Sequence, residues 1–277
     1  MSASEITSFK VAQEGALTFA LRALRYRLRA RASIHLRAGE SANLLRGSFG
    51  RLLHQENLTA YERYFAPSAA AGPSGLRDSP RPFVLRAAHL DGASFTAGAE
   101  FEIGINLFEM KAPPLELFRR VVAALLPADL LRVDGEQAIN LSLEPAAEAI
   151  QRVRVRFLTP TEIKGADRPD FATLFARIRD RISTLRALYG EGPLEIDFEA
   201  MGERARKIAM THCELQQVDA ERKSRSTGQR HSLGGFTGVA EYEGELAEFV
   251  PYLEAARYTG VGRQTVWGKG EIVTEIL

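Results

Sequence analysis

Arg152-Val153-Arg154-Val155-Arg156-Phe157 alternates a cation with an apolar side chain at every step. Successive side chains of a strand point to opposite faces, so a period of two predicts a strand with one basic and one buried face. Asp170 to Tyr189 follows, with Phe171, Leu174, Phe175, Ile178, Ile182 and Leu185 at helical spacing. Ala205–Glu221 and Gly234–Gly244 then read as a strand pair joined by the basic loop Arg222–Leu233. A helix over Leu246–Arg257 and a strand over Val266–Thr274 complete a β-α-β-β-α-β order, the ferredoxin-like arrangement.

The same order runs upstream. Arg25, Arg27, Arg29 and Arg31 alternate with Tyr26, Leu28 and Ala30, predicting a second basic-faced strand. Ser41–Gln55 reads as a helix burying Leu44, Leu45, Phe49, Leu52 and Leu53. Ala66–Pro82, rich in Ala, Ser, Gly and Pro, reads as a surface loop. Strands are expected over Phe83–Arg86 and Glu100–Leu107, a helix opened by Pro113 and Pro114, and a strand near Ala138–Leu143. The fold class is therefore α+β, with two tandem ferredoxin-like domains over residues 1–148 and 149–277. Arginines on a strand face pair readily with acids such as Glu100 and Glu102 on a neighbouring strand.

The chain has 277 residues, 45% of them hydrophobic, which can supply real cores. Cys213 is its one cysteine, which excludes a disulfide framework and a thiolate metal cluster. No apolar run approaches a membrane span and no signal-peptide pattern opens the chain, so a cytoplasmic protein without membrane contact is expected. A net charge of +1 sets up no global field for polyanions. The cations are nevertheless segregated: Gly15–Gly39 holds six arginines and no acid, and Arg222–Ala240 holds Arg222, Lys223, Arg225 and Arg230 and no acid. Local anionic contacts follow from that distribution.

Tyr258–Ile272 carries Gly260, Gly262, Gly268 and Gly270 beside Arg263, Gln264 and Lys269. Two G-x-G pairs describe a chain that bends sharply twice and leaves N–H groups open to an anion. The glycines follow a helix rather than precede one, which excludes the usual nucleotide phosphate loops. The plain structural alternative is a helix capped by Gly260 and a turn into the last strand.

In their order along the chain these segments resemble a known family. Phe157–Lys164 (FLTPTEIK), Arg222–Gly235 (RKSRSTGQRHSLGG), Phe236–Gly244 (FTGVAEYEG), Phe249–Leu253 (FVPYL) and the glycine-rich turn look like the CRISPR-associated precursor-RNA processing endoribonucleases of the RAMP superfamily. Asn43–Leu52 resembles that family's first helix, and Pro80–Arg86 the entry to its next strand. Many relatives carry a cysteine cluster between these two segments, whereas Glu56–Pro67 has none. The resemblance implies RAMP/RRM-like domains whose sheets face a shared cleft. It also implies one metal-independent, cofactor-free cut in each CRISPR repeat of precursor crRNA. Its RNA-contacting elements carry over to Arg222, Lys223, Arg225, Arg230 and His231 of the hairpin, and to Gly260, Gly262, Arg263, Gln264, Gly268, Lys269 and Gly270 of the turn. A noncatalytic RNA-binding subunit, partnered by other CRISPR effector subunits, is the alternative. A ferredoxin-like duplication that binds some other anion is a third reading.

Metal-independent cleavage uses the substrate's 2′-hydroxyl as nucleophile and needs a base, an acid and cations at the phosphate. Histidine suits the proton transfers, and of five in the chain His54 is the first candidate and His35 the second. His54 ends the helix that follows the basic strand, near where the resembled family often keeps its histidine. His35, Tyr26 and Tyr61 are candidates for the second proton-transfer group, and Arg46 and Arg51 for the charge stabilisers.

Overall fold

In the computed structural model, which describes residues 17–67, 79–218, 221–223, 230–232 and 234–277, both alternating arginine runs lie in central strands of antiparallel sheets. The first module contains β1 (Thr18–Ala30), β2 (Ile34–His35), α1 (Ser41–Glu56), α2 (Leu58–Ala60), β3 (Phe83–Arg86) and β4 (Ser94–Phe95). It continues through β5 (Glu100–Leu107), α3 (Leu115–Ala123), β6 (Ala128–Asp134) and β7 (Ile139–Ser142). The second contains β8 (Arg152–Thr161), α4 (Phe171–Tyr189), α5 (Phe198–Ala205), β9 (Ala209–Val218) and β10 (Glu221–Lys223). It ends with β11 (Arg230–Ser232), β12 (Gly235–Glu243), α6 (Val250–Thr259) and β13 (Ile272–Ile276). The sheets run β3-β5-β1-β6 and β13-β8-β12-β9. Ranked by chain order within each module, both read fourth, first, third, second from one edge. That is the ferredoxin-like order, and the tandem ferredoxin-like fold holds.

The elements differ from expectation where local pattern is weak. The strand near Ala138–Leu143 is β7, which among the described residues pairs only with Thr18–Leu21, while the main fourth strand is β6. A register shift between Arg27 and Leu28 breaks the alternation of β6 and hides its period. Residues 198–205 form α5, capped by the Asp197 carboxylate accepting from Ala200 N at 2.9 Å, so the next strand starts at Ala209 rather than Ala205. The last strand starts at Ile272, because Thr265–Trp267 form a 3-10 turn instead.

Strand alternation produces the buried faces as expected. Leu24, Tyr26 and Leu28 are buried against Leu45, Phe49 and Leu53 of α1 and Phe118 of α3. On the opposite face, Arg25 and Arg29 of β1 meet Glu102 at 3.8 Å and Glu100 at 2.8 Å, and Arg31 beyond the strand meets Asp129 at 3.7 Å. In the second sheet, Arg152 and Arg154 meet Glu241, and Arg156 meets Glu275. The pairs exposed on both sides stabilise by at most about 1 kcal/mol each, whereas the Glu241 carboxylate is buried. The pairs nonetheless commit Arg25, Arg29, Arg152, Arg154 and Arg156 to acids of their own sheets.

Where the resemblance implies sheets facing a shared cleft, the described contacts run from the outer face of the first sheet to α4, α6 and the glycine-rich turn. Phe19, Leu21, Val84 and Phe108 join one core with Phe175, Ile178 and Ile182 of α4 and Tyr252 and Ala255 of α6. Beside this apolar contact ends α6, whose last carbonyls have no partner within the helix. Arg86 of β3 donates to the Arg257 and Tyr258 carbonyls at 2.8 and 3.1 Å, and Asn106 of β5 to Tyr258 at 2.9 Å. Arg181 of α4 donates to the Thr259 carbonyl at 3.0 Å. Cations at a helix C-terminus also meet the negative end of its dipole. Burial holds the Arg86 guanidinium below its usual range, with Glu271 at 3.4 Å opposing that shift. Replacing Arg86 with methionine keeps much of the volume but orphans buried carbonyls. Urea unfolding of Arg86→Met should give a loss on the order of 3 kcal/mol. A loss under about 0.5 kcal/mol would show that the contact does not hold the modules together.

Candidate functional site

Helix α1 lies between two cavities. On one side Arg46, Gly47, Gly50, Arg51, His54, Gln55, Tyr61 and Phe65 line an open groove of about 440 Å³. His54 is exposed in the last turn of α1, and its ring meets that of Tyr61 edge-on with centroids 4.9 Å apart. A π-helical turn over Tyr61–Phe65 makes this pairing, burying Tyr64 and Phe65 while Tyr61 stays half-buried. Here, where many of the resembled relatives carry a cysteine cluster, aromatic packing shapes the chain. Arg46 is not a simply solvated side chain: its guanidinium lies 4.6 Å from the Phe65 ring centre and 4.1 Å from that of Trp267.

The other candidates fall elsewhere. His35 sits in β2 at the opposite end of α1, with Nδ1 2.7 Å from Ser94 Oγ. The helix from Ser41 to His54 rises about 20 Å at 1.5 Å per residue, so the two histidines do not converge on one phosphate. Tyr26 is 1% exposed in the first core, and burial pushes its phenol well above the usual range. It is removed as a proton-transfer candidate, whereas Tyr61 stays beside His54. His89 Nε2 lies 3.0 Å from the Glu102 carbonyl, and His212 lies 3.3 Å from Glu214.

The basic hairpin forms as β10 and β11, with Arg222 opposite His231 and Lys223 opposite Arg230. Arg225 lies outside the described residues.

The glycine-rich turn is a structural device whatever else it does. Gly270 has φ 66°, and a Cβ there would sit 1.9 Å from the Val261 carbonyl oxygen. Gly268, φ 76°, brings its backbone against Leu85 of the first module, where a Cβ would stand 3.0 Å from the carbonyl oxygen. Just before these bends Val266 is buried in the first module's core. Gly260 and Gly262 also have positive φ, at 67° and 83°, and Gln264 takes φ 60°. Arg263 is paired with Glu162 at 2.7 Å. Thr159 fastens the far limb: its hydroxyl donates to the Gly268 carbonyl and accepts from Glu271 N, both at 2.9 Å.

Lys269 is 9% exposed, and among the described residues its Nζ has no hydrogen-bond partner. Burial pulls its ammonium down to about 8, with the Glu162 charge acting the other way. It borders the second cavity, about 310 Å³, whose walls come from both modules. The sequence pattern marked Lys269, but gave no sign of Arg86, Asn106 or Arg181. Their work is to meet carbonyls more than seventy residues away in the chain.

Residues 155–272 match the family model described as CRISPR-associated endoribonuclease Cas6. Thermus thermophilus Cas6 (TTHB231) is similar with TM-score 0.57 at 20% identity, over 94% of this chain and 100% of that one. A Cas6 (TTHA0078) product complex gives TM-score 0.56 at 18% identity, over 93% and 100%. A partial Cas6-RT-Cas1–Cas2 complex gives 0.61 at 12% identity, over 95% of this chain and 47% of that one. Comparison with curated proteins gave no match. At such identities the solved structures establish the fold alone, and the family model covers the second module with its glycine-rich turn. The resemblance to the CRISPR-associated RNA-processing proteins thus holds. The match over residues 155–272 supports an RNA-cleaving enzyme. Among the described residues no helix is long and apolar enough to cross a membrane.

Lys269 sets a pH dependence for the free protein. Its folded value of about 8 lies below the ordinary 10.5, so between those values the unfolded chain binds more protons and stability rises with pH. Below about pH 8 the full penalty of the buried ammonium is present. Lys269→Met should therefore be more stable at pH 7, on the order of 2 kcal/mol, and lose the rise between pH 8 and 10.5. Thermal unfolding across that range checks both, and a variant less stable than the parent at pH 7 contradicts the assignment.

Proposed function

We propose that the protein is a metal-independent endoribonuclease that binds CRISPR repeat RNA and cuts precursor crRNA once per repeat. The reading is carried by the endoribonuclease family match over residues 155–272, whose glycine-rich turn lies across the seam from the histidine-bearing helix. In the proposed reaction His54 takes the proton of the 2′-hydroxyl. The 2′-oxygen then attacks phosphorus, and the bond to the 5′-oxygen breaks as that oxygen is protonated. A 2′,3′-cyclic phosphate and a 5′-hydroxyl result. Tyr61, whose ring lies beside that of His54, supplies the second proton in this reading. Arg51, exposed in the same groove, meets the charge gathering on the phosphate in this reading. His35 is kept as the second histidine candidate. The noncatalytic reading, with other effector subunits as partners, is not favoured, because the matching family is one of endoribonucleases.

With repeat RNA in excess chelator, the parent protein should cleave once and leave cyclic phosphate ends. His54→Ala should lose on the order of 100-fold or more in single-turnover rate, and His35→Ala much less. Tight binding without cleavage by the parent would establish the noncatalytic reading instead. A loss confined to His35→Ala would move the site to the other end of α1.

The proposed hairpin contacts come from Arg222, Lys223, Arg225 and Arg230. Replacing all four with alanine should lower the slope of log affinity against log salt by about 3. An unchanged slope removes the hairpin as an RNA contact.

A further inference from the structure

The seam cavity of about 310 Å³ lies beside α1 and is separate from the His54 groove, since the two share no lining residue. Its volume is at the small end of the range for ligand pockets, about 300–1,000 Å³, which suits one base and not a duplex. Leu45, Leu85, Ala87, Leu158, Pro160 and Trp267 make its walls mainly apolar. Leu158 is 52% exposed there, an apolar side chain left open to solvent at the mouth. Against those walls stand two polar groups that the fold itself does not use. Lys269 Nζ and Asn43 Oδ1 are both buried and, among the described residues, both lack a hydrogen-bond partner. A buried donor and a buried acceptor left unmatched each cost about 1–3 kcal/mol, so their retention in one apolar pocket calls for a ligand that supplies both partners. Asp91, the other ionisable group in the wall, is occupied: its carboxylate accepts from Gly39 N and Ser41 N at the start of α1.

We propose that this cavity receives a single unstacked guanine of the bound RNA, with Lys269 donating to its O6/N7 edge and Asn43 accepting from its N1–H or 2-amino group. The proposal rests on the RNA-binding reading above and names the base recognised at the seam. Several observations select a base over a free anion. The walls are apolar, an aromatic ring lies among them, and an acceptor sits alongside the cation. Unpaired bases are held by stacking on aromatic rings and by hydrogen bonds to their edges. Guanine is selected because lysine pairs characteristically with its O6 and N7. Its adjacent N–H groups then meet the carbonyl of Asn43.

Trp267 is the one tryptophan in the chain, so intrinsic fluorescence reports directly on this cavity. The full-length protein is titrated with the 5′-monophosphates of guanosine, adenosine, cytidine and uridine, which carry equal phosphate charge, and with inorganic phosphate. Guanosine monophosphate should quench or shift the emission saturably at about tenfold lower concentration than the other three. Asn43→Ala and Lys269→Met should each remove that preference, with folding of the variants verified by thermal unfolding. Repeat RNA is titrated in parallel by filter binding. Equal response to all four nucleotides, or a response to inorganic phosphate alone, overturns the guanine assignment. If guanosine monophosphate gives no response while repeat RNA binds, the cavity proposal fails and the RNA reading stands. If repeat RNA also fails to bind, the RNA reading itself falls.

Discussion

The end of α6 is the point on which the two modules depend. A helix must place its last carbonyls somewhere, and here they point into a protein interior rather than into water. Arg86 and Asn106 from the first sheet, with Arg181 from α4, supply the donors. Because the first two come from a different module, the helix is satisfied only when the first sheet lies against it. The apolar contact of Phe19, Leu21, Val84 and Phe108 with the second core supplies area, which is non-directional. The hydrogen bonds supply register. Together they define where the chain that leaves α6 must go.

That chain is the glycine-rich turn, and its course follows from the register. It drops Val266 into the first core, sets Trp267 under Arg46, then passes Leu85 so closely that a Cβ at Gly268 would be crowded. One consequence is the cavity beside Lys269, walled by both modules and absent from either alone. Another is a lysine ammonium held in an apolar setting without a partner of its own. Unrelieved desolvation of this kind is common where a protein meets a ligand, because the ligand completes what the fold leaves open. On the far side of the same helix, His54 and Tyr61 occupy a wide groove that water reaches freely. Helix α1 therefore borders both the seam cavity and the open groove.

Much of this was legible from residue order. Alternating arginines located the two central strands, and even their pairing with Glu100 and Glu102 followed from the acids expected on the neighbouring strand. The helix over Phe171–Tyr189 was plain because its apolar positions recur without interruption. β6 was hidden, since a register shift and an exposed face erase its period. Val266 looked like the start of a strand because it is apolar beside a tryptophan, yet it is apolar for the sake of the other module's core. Tyr26 looked available for chemistry by type alone, and strand alternation placed it inward.

By itself the sequence determined the two modules, their order of elements and the identity of the basic hairpin and glycine-rich turn. These depend on periodicities of two and about three and a half residues, and on glycine's tolerance of positive φ, all of which act over a few neighbours. Only the tertiary structure decided that His35 and His54 stand a helix length apart, that Lys269 is buried without a partner, and that Arg86 closes α6 from across the seam. Each of those is a meeting, or a failure to meet, between residues far apart in the chain. Burial and hydrogen-bond satisfaction are properties of such meetings, so no local pattern encodes them.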